Sequence, residues 1–172
     1  LFGLIGALVL AGTSVHAEER VVPPWLRADM AARTVMVDLA AGVDKASGGW
    51  HFNGFSNGDA TLVVPTGWRV TMQLANHDPD VPHSVMVIAA PADDSEIPAS
   101  AEDTEPAIPG ASSPRPTEGI GPGQAETIAF TATPAGDYLL FCGVPGHGVT
   151  GMWLRFKAED GAAQPYVLTG KS

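Results

Sequence analysis

Residues 138–153, YLLFCGVPGHGVTGMW, constrain the fold more than any other part of the chain. The stretch begins as an apolar run typical of a buried strand. It then places four glycines and one proline between Cys142 and Met152. That density of glycine and proline excludes a regular helix or strand. We therefore predict a tight loop between two strands that can bring Cys142, His147 and Met152 to one point.

Short β-branched and aromatic runs bounded by turn residues fill most of the chain from residue 34 onward. They predict an all-β fold, an antiparallel β-sandwich of about eight strands. Ahead of them, WLRADMAAR follows two prolines and predicts a short N-terminal helix over residues 25–33. The glycines at 41–49 predict a connection. The predicted strands are 34–39, 50–55, 61–64, 68–75, 83–89, 126–132, 138–142 and 152–158, with an edge strand at 165–169.

The first 17 residues carry no charge and are apolar as far as Ala11, and they end on Val15-His16-Ala17. This pattern predicts a signal peptide at residues 1–17, or alternatively a clipped membrane anchor. Either one implies a periplasmic or other extracytoplasmic location. An extension at 18–33 and one domain at 34–172 follow. We expect a monomer that associates with a membrane only through its N-terminal segment.

The chain has 9 Lys and Arg residues against 19 Asp and Glu residues, a formal net charge of −10. Because phosphate binding needs clustered basic side chains, this balance argues against nucleic-acid binding and favours a basic partner. The domain also carries a long acidic, proline-rich insertion at 91–123, with seven prolines in all and six carboxylates between Asp93 and Glu105. Two interpretations stay open for it: a solvated, flexible loop, or an acidic flap that docks a partner or shields a site.

Cys142 is the only cysteine, which excludes an intrachain disulfide and every zinc motif that needs two cysteines. In an exported protein an unpaired thiol is a liability unless it is buried, paired between chains or bound. A soft thiolate, an imidazole and a thioether in one loop favour copper over magnesium or calcium. One more imidazole would complete a His₂Cys set with a weak methionine ligand.

Three histidines, His51, His77 and His83, are candidates for that second imidazole. His83 opens the apolar run HSVMVIA directly after the turn DPDVP, which would place it at the mouth of a strand, and the pattern favours it. His77 lies in a polar turn, where a solvated histidine is expected. His51 lies in a predicted strand and can point outward.

The segments VPHSVMV and FCGVPGHGVTGMW resemble the copper sites of cupredoxins, the small blue copper proteins. The C-x₄-H-x₄-M spacing, the serine after the first histidine, and WHFNGF ahead of TLVVPTGW are most similar to the sulfocyanins, with the rusticyanins as near relatives. The resemblance covers about residues 35–158. It implies a Greek-key β-sandwich with one type 1 copper ion. The acidic insertion at 91–123 has no counterpart in the resemblance.

Carried over residue by residue, the resemblance implies His83, Cys142 and His147 as equatorial copper ligands and Met152 as the weak axial one. Ser84 and Phe141 would lie beside these ligands. Ser84 takes the place of an asparagine that is common in cupredoxins, and its shorter side chain implies a drier pocket near the cysteine sulfur.

The same resemblance implies a one-electron carrier, not an enzyme, that serves redox proteins such as cytochromes or a terminal oxidase. Cys142 has Phe141 and Gly143 as neighbours, where related copper enzymes place histidines. A copper-delivery or storage module and a Cys142–His147 thiol enzyme are the alternatives. Because the loop around His147 is rich in Gly, Val and Pro, we also expect the outer edge of His147 to emerge through an apolar patch at Val144.

The choice between histidines is testable by substitution. We expect His83→Ala to open the copper site to water or added imidazole and so to change the visible spectrum of the copper-loaded protein. His77→Ala should leave that spectrum intact. A protein bleached by His77→Ala and unaffected by His83→Ala would refute the assignment.

Overall fold

The computed structural model describes residues 18–44 and 49–170, and this part is nearly all β. The predicted signal peptide or anchor at 1–17 lies outside the described residues. Among those described, no helix has the length and apolar character needed to cross a membrane. Numbered in chain order, the strands are β1 Glu19–Val21, β2 Leu26–Asp29, β3 Thr34–Asp44, β4 Gly49–Phe52, β5 Ala60–Pro65, β6 Arg69–Asn76, β7 Met86–Ala89, β8 Ala125–Thr131, β9 Gly136–Phe141, β10 Trp153–Glu159 and β11 Tyr166–Thr169.

The strands form two sheets, which confirms the predicted sandwich. One sheet has the order β1-β11-β5-β10-β9-β7, and the other has the order β2-β3-β6-β8 with β4 paired to β3. The expectation of purely antiparallel pairing is wrong, because β5 pairs with β10 and β3 with β6 in parallel. In both cases the chain visits the opposite sheet before it returns, and a strand that returns this way can run in the same direction as its neighbour.

The main core lies between the sheets and follows the period of two that a strand imposes. In β6, Val70, Met72 and Leu74 are buried and alternate with more exposed residues. Leu154 and Phe156 of β10 join the same apolar cluster, together with Met152 just before the strand. Met152 thus connects the predicted loop to the core.

The insertion at 91–123 adds a third layer on the outer face of the first sheet. There a second apolar cluster, with Met86, Leu139 and Trp153 among its members, packs against Ile97 and Ala101 of the insertion. This packing explains why β7 and β9 are apolar on both faces. Residues further along the insertion, including Ile108, are buried in the main core. The insertion is therefore not solvated along its length.

Main-chain hydrogen bonds attach a later part of the insertion to the free edge of the sheet, at β7 and the residue just before it. The N–H of Ala107 donates to the Val87 carbonyl at 2.8 Å, and the N–H of Val87 donates to the Ala111 carbonyl at 2.8 Å. The N–H of Ser113 donates to the Val85 carbonyl at 2.8 Å. Two single 3₁₀ turns, Asp94–Glu96 and Ala101–Asp103, carry much of the acidic sequence on the outside.

The predicted helix at 25–33 is wrong. Leu26–Asp29 is strand β2, paired with β3 in the register Leu26 opposite Val37, and a turn follows it. The Asp29 carboxylate caps that turn by accepting the N–H groups of Ala31 and Ala32. Helix propensity is worth only tenths of a kcal/mol per residue, so burial of Leu26 and the ladder with β3 outweigh it. The expected connection at 41–49 is also shorter, since β3 runs to Asp44.

Candidate metal centre

Three buried side chains, His83, Cys142 and His147, meet at one end of the sandwich. Each offers a nitrogen or sulfur donor, and these donor atoms all lie within 4.8 Å of one another. Cys142 directly follows β9, and His147 lies in the loop between β9 and β10. The predicted convergence of this loop with His83 is therefore observed in the structure.

The loop is closed by hydrogen bonds between its own ends. The N–H of Cys142 donates to the Met152 carbonyl at 3.1 Å, and the N–H of Met152 donates to the His147 carbonyl at 3.0 Å. These bonds hold the three residues in fixed relation, which confirms the predicted tight loop. Met152 is fully buried.

Phe141 sets the path of the loop on its other side. A Cβ atom built on Gly148 would lie 2.0 Å from the Phe141 ring, so only glycine lets the loop pass this close. Phe141 itself is fully buried in the second apolar cluster. It therefore supports the loop from outside the donor cluster.

His83 reaches the cluster from the insertion side of the site. It does not open β7, which begins at Met86; instead its N–H and C=O pair with Ile120 of the insertion at 3.1 and 2.8 Å. The insertion can come this close because it has Gly119 there, where a Cβ would lie 2.7 Å from the His83 carbonyl oxygen. The strand predicted to start at residue 83 is thus replaced by a bridge to the insertion.

The two ring nitrogens of His83 have different surroundings. Nε2 lies 3.2 Å from an oxygen of the buried Asp78 carboxylate, whereas Nδ1 is buried with no hydrogen-bond partner. Burial lowers the pKa of His83, which favours the neutral ring. A neutral ring that donates from Nε2 has a free lone pair on Nδ1. An unpartnered buried lone pair beside a thiol fits a bound metal ion, so the residues present suit copper.

Asp78 is itself held by the turn that precedes His83. Its Oδ1 accepts the N–H groups of Asp80 and Val81 at 2.9 and 3.1 Å. Burial by itself raises the pKa of Asp78. The two N–H donors and His83 together lower it by more than burial raises it, so the pKa of Asp78 lies below its usual range. Asp78 is therefore a buried carboxylate in its ionised form.

The Cys142 sulfur accepts a long hydrogen bond from the Ser84 N–H at 3.5 Å and lies 3.5 Å from His147 Nδ1. Burial raises the pKa of the Cys142 thiol. A metal ion binds the thiolate, so binding at this residue releases a proton. Burial therefore shields the sulfur from solvent before a metal ion binds.

Ser84 ties three segments together beside that sulfur. Its hydroxyl donates to the Pro116 carbonyl at 2.6 Å and accepts the Gly143 N–H at 3.0 Å. Although it is shorter than asparagine, Ser84 connects the His83 segment, the Cys142 loop and the insertion. The residue after His83 therefore links the segments that surround the sulfur.

Trp50 covers His147. The two rings are stacked with centroids 3.8 Å apart and planes 23° apart, and His147 is only 4 % exposed. Burial and the neighbouring His83 lower the pKa of His147 to about 4, which keeps it neutral at pH 7. The expectation that its edge emerges at Val144 is wrong, because Val144 is 8 % exposed and Trp50 lies on the ring.

The other two candidate histidines lie outside the cluster. His77 is exposed, and His51 is half-buried with its Nδ1 accepting the Gly54 N–H at 3.1 Å. Asp78 and Trp50 also belong to the site, although the sequence did not indicate either of them. Asp78 stands in a turn where aspartate is common, and Trp50 stands in a strand that is far away in sequence, so neither carried a local signal.

Comparison with known proteins gives concordant results. The sulfocyanin (SoxE) domain family matches residues 24–169. A sulfocyanin from Sulfolobus acidocaldarius is 26 % identical over 137 residues, which cover 78 % of this chain and 66 % of that protein. The chain thus spans a little less than two thirds of that relative.

Solved structures share the fold. Auracyanin from Roseiflexus castenholzii has a TM-score of 0.52 at 22 % identity, over 72 % of this chain and 96 % of its own. Rusticyanin from Thiobacillus ferrooxidans has a TM-score of 0.51 at 18 % identity, over 84 % of this chain and 98 % of its own. At these identities the likeness establishes the sandwich architecture.

Proposed function

This chain belongs to the sulfocyanin family of cupredoxins, as its motifs predicted, and from that premise we propose that it carries single electrons between redox proteins outside the cytoplasm. Its cofactor is one type 1 copper ion. The ligands we propose are His83, Cys142 and His147, with Met152 as the weak axial donor. The observation that carries the proposal is the convergence of one sulfur and two imidazole donors, all buried, within 4.8 Å.

The bound copper ion supplies the one-electron Cu(II)/Cu(I) couple. The protein contributes a rigid set of donors. Cys142 and His147 are fixed by the loop bonds through Met152, and His83 is fixed by its bridge to Ile120. Donors that keep their places in both charge states need little rearrangement when an electron moves, and burial keeps water away from them.

The same donor set argues against catalysis at the metal. A catalytic metal keeps an open or water-filled position, whereas four protein donors would fill this one. Cys142 is flanked by Phe141 and Gly143, so no histidine adjoins it to relay electrons to a second copper. In a thiol enzyme His147, whose Nδ1 lies 3.5 Å from the sulfur, would be the base, but the fully buried thiol would be out of a substrate's reach and the buried Met152 would have no role.

The visible spectrum of the copper-loaded protein tests this function. We expect an intense blue thiolate-to-copper band and the EPR signal of a type 1 site, both abolished by Cys142→Ser because a hydroxyl is a poor soft donor. Thr150→Ser, in the same loop, should keep both signals. A colourless protein that binds Cu(I) would instead indicate copper delivery or storage, and a protein without copper affinity would leave the thiol enzyme.

The axial role of Met152 is tested by two substitutions. A thioether is a soft, neutral, weak donor that stabilises Cu(II) little. Met152→Gln offers a harder oxygen and should lower the reduction potential, whereas Met152→Leu offers no donor and should raise it. Voltammetry on both variants gives the answer. If Met152 only packs in the core, Leu costs roughly less than 1.5 kcal/mol of stability and both potentials stay where they were.

We infer that the partner docks over Trp50. An electron that passes between His147 and a partner crosses the half-buried Trp50 ring, because this ring lies on His147 at 3.8 Å. In the same loop as His147, Pro145 and Val149 are exposed, Val149 by 57 %. Exposed aromatic and apolar side chains of this kind form the centre of many transient interfaces.

The acidic insertion borders this apolar surface. The N–H of Ala101 donates to the Gly143 carbonyl at 2.9 Å, and the N–H of Gly146 donates to the Ala99 carbonyl at 2.8 Å. The carboxylates of this part of the insertion are all exposed. They are Asp93, Asp94, Glu96, Glu102, Asp103 and Glu105. A redox protein with a basic rim, such as a cytochrome, fits this surface, with weak binding that salt reduces.

Small redox complexes of matched potential, one cationic and one anionic, test this surface. Glu102→Lys should slow oxidation of the reduced protein by the cationic complex and speed oxidation by the anionic one at low salt. Asp160→Lys is the matched control: it makes the same change in charge at an exposed residue beyond the far end of β10, about 20 Å away. Equal effects of the two variants would show that the docking surface does not lie beside the insertion.

A further inference from the structure

Asp78 stands apart from the other acidic residues. Among the residues whose burial the structure describes, which leaves out 43–49, it is the one buried carboxylate, with 3 % exposure. Burying an ionised carboxylate is costly unless hydrogen bonds and a nearby partner compensate it. Its partner here is His83, whose Nε2 lies 3.2 Å from Asp78 Oδ2. A buried charge next to a ligand residue calls for a role beyond that of a turn cap.

Both the carboxylate and the main chain of Asp78 are held by hydrogen bonds. Oδ1 accepts from the N–H groups of Asp80 and Val81, and the N–H of Asp78 donates to Asn76 Oδ1 at 2.9 Å. The Asn76 amide in turn donates to the carbonyls of Val81 and Ile120 at 2.9 and 2.8 Å. Ile120 is the residue that bridges His83. Asp78 and His83 are therefore fixed to the same framework, and Oδ2 is left to face the imidazole.

We propose that Asp78 is a positioning residue that sets both the tautomer of His83 and the reduction potential of the site. An ionised carboxylate only accepts hydrogen bonds, so it holds the proton of His83 on Nε2 and leaves Nδ1 free toward Cys142 and His147. When the carboxylate accepts a hydrogen bond from Nε2–H, Nδ1 also becomes a stronger electron-pair donor to a metal ion. The negative charge, buried beside the ligand, favours Cu(II) over Cu(I) and lowers the potential.

The second half of this inference rests on the proposed copper function, and the first half does not. The tautomer of His83 is a property of the metal-free chain, observable by the nitrogen NMR shifts of its ring. A result on the tautomer therefore stands whether or not the protein proves to be a blue copper carrier.

Asp78→Asn separates the charge from the turn. The amide oxygen can still accept the N–H groups of Asp80 and Val81, while the amide nitrogen would donate toward Nε2 and drive the ring proton to Nδ1. In metal-free protein we expect the wild type to hold the Nε2–H tautomer and Asp78→Asn to shift toward Nδ1–H. We also expect a roughly 10–100-fold loss of Cu(II) affinity. A tenfold loss relative to Cu(I) raises the potential by about 59 mV.

The matched control is Asp80→Asn, which removes the same charge from an exposed residue two positions away. It should leave the tautomer and the potential as in the wild type. If Asp78→Asn does not fold, Asp78→Ser, which keeps a cap for the turn without charge or amide donor, is measured in its place. An unchanged tautomer, or equal potentials for the Asp78 and Asp80 variants with the blue band intact, would overturn the proposal.

Discussion

Three metal-donor atoms must be buried together, one of them without a hydrogen-bond partner, and the rest of the site depends on that constraint. A buried polar atom that lacks a hydrogen bond costs roughly 1–3 kcal/mol, and His83 Nδ1 is such an atom. The surrounding structure has to offset this cost with hydrogen bonds that keep neighbouring polar groups from moving toward the metal-donor atoms. Those bonds are the closed loop through Met152, the bridge between His83 and Ile120, and the hydroxyl of Ser84 between Gly143 and Pro116.

The features that could be predicted from the sequence are those with a local signal. The loop could be predicted because its glycines and proline exclude regular structure, and His83 could be preferred over His77 because an apolar run follows a turn there. The strands from β3 to β11 were predicted with shifts of a few residues at their ends. The family was predicted because its motifs lie in two short segments.

What could not be predicted depends on contacts between distant residues. Trp50 lies almost a hundred positions before His147, and no pattern in WHFNGF indicates a ring to stack on. The turn around Asp78 looks like any polar turn until His83 is placed beside it. The segment 25–33 has good helix formers, and only the neighbouring strand β3 makes β2 the better structure. The prediction for the insertion rested on its charges and prolines. The burial of Ile97 and Ile108 shows that the insertion packs against the rest of the domain.

The manner in which the insertion holds the centre has an evolutionary consequence. It contributes main-chain atoms, the carbonyls of Ala99 and Pro116 and the N–H of Ala101, to the ligand loop and to Ser84. The acidic side chains at 93–105 are exposed and take no part in those bonds. Mutations can therefore exchange the surface charges at 93–105 while the donor set stays in place. In the course of evolution such a protein can therefore acquire a new electron-transfer partner while its metal site stays unchanged.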